Sequence, residues 1–548
     1  MNLTRLFHTV KYLKPVQIYG RLWFQLYKPK PDISPAPATR SIKSNWVSPC
    51  KKNPSLLSPY CFRFLNQVHE LNSVKDWNNP RWEKLWLYNL HYFDDLQACD
   101  AENKKVLHLD LIGKWIEENP PGMGNGWEPY PASLRIVNWI KWALAWSGLP
   151  DKALHSLAVQ VRYLFKKPEV HLLGNHLLAN AKALVFAGLF FDDNEVEFWL
   201  NKGLKILSNQ LPEQILNDGG HFERSPMYHS IILEDLLDLI NIADVYSGMI
   251  QEDCLEEWRE KSRKMLSALN KQCHPNGDIA FFNDTAISIA ASLDEIKAYA
   301  SRLGVFEDEE LDRRVGCLPN TGYYSVKRNN WFLIIDAAPV GPDYLPGHAH
   351  ADTLSFELSM GRQRVLVNSG TSCYEVGRER LRQRQTAAHN TLLVDEQDSS
   401  EVWSGFRVAR RARIVKKEIK ISHEKDMICA THNGFERLKS VGLHQRIWVF
   451  SDEELVISDS VVGSGTHCVC VFFHFYPSLH VKTDVDGWHI CDAGKKLIAV
   501  MTLDKTVDGF LQESTYHPEF GLSIPNQVVI GKVVGELPLN ISTKLIFV

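Results

Sequence analysis

From about residue 80 to residue 310, apolar positions recur at the three-and-four spacing of helices that bury one face. Between Asp151 and Lys167, Leu154, Leu157, Val161 and Leu164 share a face, and between Asn194 and Ile215 so do Val196, Leu200, Leu204 and Leu207. Such segments joined by short polar turns predict a layered all-α array. No repeat of fixed period is visible, so a solenoid is not indicated. Near residue 317 the pattern changes. WFLIIDAAPV, TLSFELSM, RVLVNSG, NTLLVDE, RIWVFSDEELVISDSVV and CVCVFFHFYPSL are short, rich in β-branched and aromatic residues, and punctuated by Gly, Asn and Asp. From Thr353 to Met360 the alternation sends Leu354, Phe356 and Leu358 to one side. Many strands without intervening helices predict an antiparallel sandwich, with the boundary between residues 305 and 320.

The N-terminal stretch MNLTRLFHTVKYLKPVQIYGRLWFQLYKPKP has helical apolar spacing broken by Arg5, Lys11, Lys14 and Arg21. It has no continuous apolar core or small-residue cleavage site, so it is read as an amphipathic helix rather than a signal peptide. Packing on the protein is the expectation, with contact to a membrane surface the alternative. Residues 28–60, rich in Pro, Ser, Lys and Asn, read as an extended arm. No segment approaches the length of a membrane span. The expected location is cytoplasmic or peripheral to a membrane, in a bacterium, with a periplasmic one left open.

Composition adds bounds. A chain of 548 residues exceeds one core and implies at least two domains. Its 61 basic and 65 acidic residues leave a net charge of −4, so no global field steers it to nucleic acid, and any polyanion site is a local patch. The 16 Trp and 17 Tyr suit sugar faces or helical cores about equally. Eleven Cys, an odd count without metal-type CxxC spacing, read as mostly buried thiols from a reducing compartment.

Three polar clusters stand out. Gly174-Asn175-His176 opens an apolar helix, where an Asn or His is commonly only a cap. GGHFERSPMYH gathers His221, Glu223, Arg224, Tyr228 and His229 in a loop running into a helix. GHAHAD places His348 and His350 two apart before a strand, where alternate residues share a face, and TAAHNT places His389 at the head of another. Arg378, Arg380, Arg382, Arg384 and Arg407, Arg410, Arg411, Arg413 form two sets, of which at most half could line one groove.

GNHLLAN, ERSPMYH, GHAHADTLSFEL, VNSGTSCYE, RQTAAHNTLLVD and SEVWSGFRVARRARI, with WEPYPASLRIVNW ahead of them, resemble in order and spacing the heparinase II/III family of polysaccharide lyases. The resemblance implies an α+β multidomain fold: an N-terminal helix and arm over 1–60, an incomplete (α/α) toroid over 61–312, and an antiparallel β-sandwich over 313–548. It also implies β-elimination at a uronic acid of an acidic polysaccharide, with Asn175, His176, Tyr228 and His348 catalytic. Asn175 would neutralise the uronate carboxylate, Tyr228 would serve as base and then acid with Arg224 or a cationic His lowering its pKa, and His348 would remove the C5 proton or assist. Glu223, Arg224, Arg135, Arg384 and Trp403 are the implied substrate-binding set. The family's metal ligands correspond to His350, Asn368 and His389. Position 368 carries a neutral amide where the pattern has an acid, which weakens a dication site. No cofactor is therefore required by this reading, and a single zinc or calcium is expected to be weakly held or absent unless Asp352 or a backbone carbonyl fills the gap. Two other readings compete. One is a glycoside hydrolase pairing Glu223 with Asp218 or Asp284, and the other a non-catalytic glycan-binding or assembly protein.

Overall fold

A computed structural model describes residues 3–146, 148–306, 314–421 and 426–548. The N-terminal region forms two helices, α1 (Leu3–Val10) and α2 (Pro15–Leu26), separated where Pro15 takes the first position of the second. An extended arm follows, pairing Ala38–Thr39 with Phe191–Asp192. Residues 56–70 form a three-stranded antiparallel sheet, so the first part of the segment expected to be helical is strand.

Nine helices then follow among the described residues: α3 (Lys84–Tyr92), α4 (Lys105–Glu118), α5 (Pro129–Ala145), α6 (Asp151–Lys166), α7 (Gly174–Phe190), α8 (Asn194–Gln214), α9 (Pro226–Val245), α10 (Glu252–Asn270) and α11 (Leu293–Arg302). Helices α6 and α8 end within one residue of the periodicity that predicts them. Helix α7 is apolar nearly all round and buried along its length, which makes it central to the array. One continuous core joins these helices, and Trp77, Trp86, Trp115, Trp139, Trp199 and Trp258 are fully buried in it. These rings are core, not sugar platforms.

The boundary expected at 312/313 lies outside the described residues. Beyond it, three antiparallel sheets share a second core. One is five-stranded (Gln363–Leu366, Phe356–Met360, Trp331–Asp336, Tyr323–Lys327, Val315–Leu318, in spatial order), one four-stranded and one eight-stranded. Phe356 and Leu358 from the first meet Trp448 and Ile457 from the last and Val471 and Phe473 from the second. The alternation at 353–360 reads as a half-exposed strand, but all of Phe356–Met360 is buried. The polar face is covered by the helical half: His274, after α10, takes Glu357 at 3.0 Å and Ser359 at 2.7 Å. All eleven cysteines are free thiols, and only three are buried rather than most.

Candidate active site

The site is organised by the loop after α10. In FFNDTA, Asn283 adopts a left-handed φ of 56° and places Asp284 inside the protein. Four side chains converge on that carboxylate. Arg380 grips both oxygens through its fork, one contact at 2.6 Å. His348 Nδ1 meets Oδ2 at 2.9 Å, His350 Nε2 meets Oδ1 at 2.8 Å, and the Thr371 hydroxyl donates from 3.4 Å. Burial alone would raise the Asp284 pKa, but Arg380 and the two imidazoles hold it well below the carboxylate range. GHAHAD is a loop here, not a strand. The two histidines still face a common point because both reach for Asp284.

Arg380 comes from helix α12 (Arg378–Arg384), where strand-like alternation had been the expectation. In a helix, positions four apart share a face, so Arg380 and Arg384 point inward together. Arg384 binds the carbonyls of Ala349 and Ser404 and is fully buried. It pins the loop before His350 and offers nothing to a glycan. Arg135 is likewise fully buried, bonded to Gln160 and to the His91 and Gly126 carbonyls over the Trp115 ring. Trp403 donates to Thr9 of α1 and carries Arg407 on its face. Arg410 is held by Glu401, and Arg411 and Arg413 by Asp343.

The ERSPMYH motif folds as its residue types dictate. Ser225 caps α9, accepting from the Tyr228 amide, Pro226 takes the first helical position, and Tyr228 falls in the first turn. Its ring packs against His348 at a tilt of 36° with centroids 4.1 Å apart, and its hydroxyl lies 3.0 Å from that of Tyr374. Burial, reinforced by Tyr374, raises the Tyr228 phenol well above its ordinary range. Arg224 does not lower it. Its guanidinium is spent on the Thr321 and Phe222 carbonyls.

Glu223 lies within, 2 % exposed; the Asn175 backbone amide approaches its carboxyl, but neither oxygen has a well-aligned hydrogen bond among the described residues. Burial raises its pKa, and His348 Nε2 stands 3.8 Å away, beyond hydrogen-bonding range. Asn175 is buried in the first turn of α7, and Gly174 ahead of it has φ 54° where a side chain would strike Leu345 and Glu223. His176 lies on Tyr130 and 3.3 Å from Glu169, which raises its pKa against the effect of burial. His221 and His229 are absorbed by Gln214 and the Met265 carbonyl.

The hydrolase pairing lacks a second free carboxylate to set beside Glu223. Asp218 accepts from the Asn320 and Thr321 amides and the Thr321 hydroxyl, and Asp284 is saturated.

A dication would find its ligands in His350, Asp352 and His389, all buried, with donor atoms within 4.8 Å of one another. His350 Nδ1 and His389 Nε2 are 3.3 Å apart, close to the spacing of two ligands on one tetrahedral ion. With Nε2–H of His350 given to Asp284, Nδ1 presents a lone pair toward His389 Nε2. A second histidine pair is hydrogen-bonded throughout. There the Gly434 amide donates to His432 Nδ1, His432 Nε2 meets His444 Nδ1 at 2.9 Å, and His444 Nε2 meets Asp459 at 2.7 Å, so every ring nitrogen has a partner. Asn368 is not the third corner. Its amide donates to Phe281 O and accepts from the Asn390 amide, and Asp352 stands where the ligand set needs an acid.

Tyr374, Arg380 and Asp284 have no part in the catalytic set that the sequence suggests. Tyr374 lies in VNSGTSCYE, and the polar Asn283-Asp284 pair after Phe281-Phe282 was the available signal for the loop.

The arrangement defines a protein of two parts, helical and antiparallel-sheet, that together assemble one tyrosine–histidine cluster around a buried carboxylate. Residues 114–311 match the family model described as Heparinase II/III N-terminus, and residues 311–542 the one described as Heparinase II/III-like, C-terminal. The chain belongs to the heparinase II/III family. It is 26% identical over 332 residues to a heparin-sulfate lyase of Bacteroides stercoris, covering 55% of this chain and 46% of that protein. To the heparin-sulfate lyase of Pedobacter heparinus it is 24% identical over 434 residues, covering 72% and 62%. The chain thus spans roughly half of the first relative and under two thirds of the second. The crystal structure of heparinase III shares the fold, with a TM-score of 0.68 at 18% identity over 98% of this chain and 85% of that one. No described helix is long and apolar enough to cross a membrane.

Proposed function

We propose that this chain is a polysaccharide lyase that cleaves a uronic-acid-containing glycan by β-elimination, in a cleft between an incomplete (α/α) toroid and a β-sandwich. The observation that carries the reading is the close pair of Tyr228 and His348, ring against ring: one imidazole and one phenol side by side supply a base and an acid to neighbouring sugar atoms. With Nδ1–H given to Asp284, His348 offers the Nε2 lone pair to the C5 proton. The C5–H electrons form the C4=C5 double bond as the C4–O4 bond breaks, and O4 takes the Tyr228 proton. His348 then returns its proton to the Tyr228 phenolate. The raised Tyr228 pKa supports the acid role over the base role.

Removing a proton α to a carboxylate builds negative charge on that carboxylate, and donors must meet it. Asn175 is one. Glu223 is a second in its protonated form, which burial favours, because a neutral carboxyl donates where an ionised one would repel. That its oxygens lack a well-aligned partner supports this role. Tyr374 positions Tyr228, while Asp284, held by Arg380, fixes the His348 tautomer.

His350, Asp352 and His389 fit zinc, with Asp284 as the carboxylate behind a ligand histidine. An ion bound there supplies positive charge and cross-linking among buried groups. This chain's own residues carry the proton transfers.

The test is incubation with a panel of uronate-containing polysaccharides, read by ultraviolet absorbance of the unsaturated product. New reducing ends without that absorbance would overturn elimination in favour of hydrolysis.

A further inference from the structure

Thirty residues from Met1 to Lys30 hold six basic side chains and no acidic one. Within them α2 buries only Gln17 and Gly20, which face Tyr344 and His171. Ile18, Tyr19, Leu22, Trp23 and Leu26 are turned to solvent, at 56%, 62%, 60%, 61% and 81% exposure. At 100° per residue these five span an arc of about 140° on the side away from the protein. Helix α1 adds Leu3, Phe7 and Val10, all exposed. Isolated exposed apolar residues are ordinary, but a stripe of this length on one helix is not. Arg21, Lys28 and Lys30 are exposed beside it, and Trp23 stacks on Tyr27.

We propose that α1 and α2 dock this chain on the surface of a bilayer containing anionic phospholipid, with the apolar stripe of α2 in the interface and Arg21, Lys28 and Lys30 at the phosphates. Both halves of the composition are needed for that occupant. Apolar and aromatic side chains enter the boundary of headgroups and acyl chains, and cations beside them attract an anionic leaflet. A second copy of this chain fits worse, because a two-fold contact through this face would bring two sets of cations together with no acid among residues 1–31 to offset them.

The helices are also tied to the sheet part of the chain. Gln17 bonds to the Tyr344 carbonyl, Lys14 lies over the Tyr344 ring, and Tyr12 receives Arg411 on its face. Tyr344 is four residues before His348, so the docking element is braced against the segment that carries the catalytic imidazole.

The experiment is flotation of the full chain with vesicles of phosphatidylcholine alone and of phosphatidylcholine with phosphatidylglycerol, beside sedimentation velocity of the free protein. The wild type should float with the anionic vesicles, and less so as salt rises. A Leu22→Glu, Trp23→Glu variant should lose that binding, while an Arg21→Gln, Lys28→Gln, Lys30→Gln variant should lose on the order of a hundredfold in affinity. Both variants should melt as the wild type does, since every altered side chain is solvent-exposed. Failure to bind anionic vesicles overturns the proposal, as does unchanged binding in the Leu22, Trp23 variant. A wild type that forms dimers abolished by the Leu22, Trp23 changes, without binding lipid, assigns the stripe to a second copy instead.

Discussion

Replacing Tyr228 with Phe removes one hydroxyl from a ring that packs among Met227, Ala286 and Phe520, so the fold should survive. Turnover should fall by about 10²–10⁴-fold, the usual contribution of a general acid or base. Near wild-type activity would remove Tyr228 from the mechanism. Its protonation state can be tested separately. Because burial holds the phenol proton above its ordinary pKa of ~10, an acid role predicts no Tyr228-dependent rise in rate as pH climbs toward that value. A rise that disappears in Tyr228→Phe would make the phenolate the base. For Asn175→Ala, kcat should drop more than KM rises, since the carboxylate gains charge mainly in the transition state. A pure KM effect would make it a general binding residue.

At the scale of elements, what could be read from sequence was what short-range chemistry controls. The Ser225-Pro226 start of α9, the extents of α6 and α8 and the short strands beyond residue 317 all follow local rules. What escaped was decided by distant partners. The alternation at 353–360 gives no hint that His274 covers its polar face, and RERLRQR is read differently as strand or helix until Asp284 supplies a buried mate for Arg380. Two stability predictions belong here. Arg380→Met leaves Asp284 buried without its fork and should cost about 3–5 kcal/mol by denaturant titration; a loss below about 1 kcal/mol would mean the fork contributes no more than a surface pair. In the eight-stranded sheet, burial works to raise the Asp459 carboxyl, but Arg446 and His444 bring it down to about 2. A depressed carboxylate pKa stabilises the fold above its unfolded value near ~3.9, and that contribution fades as pH falls toward the folded value. Asp459→Asn should therefore be less stable than wild type at neutral pH, with the gap narrowing as pH drops from about 4 to about 2. A constant gap across that window would place the stabilisation elsewhere.

For the whole molecule, the site exists only where helical and sheet parts meet: Tyr228 and Asn175 come from one, His348 and Tyr374 from the other. The sequence supplied members of both sets, and named Asp284 only as a hydrolytic carboxylate, not as the residue that joins them. The proposed ion at His350, Asp352 and His389 lies behind that junction, so its removal should be felt by the assembled protein. Carefully prepared protein should carry one equivalent of zinc, and chelation should lower both the melting temperature and activity. Protein that contains no metal, melts unchanged after chelation and remains fully active would instead make the two imidazoles a hydrogen-bonded pair.

The four-way grip on Asp284 also bears on how such a site can change over generations. Arg380, His348, His350 and Thr371 all satisfy one carboxylate, so the effect of altering any of them depends on which others remain. Once Asp284 has become Asn, a change at Arg380 removes a bond to a neutral group and loses most of its penalty. Substitutions accepted one at a time would therefore stall at this residue, and descendants that depart from it should exchange the carboxylate and its arginine together.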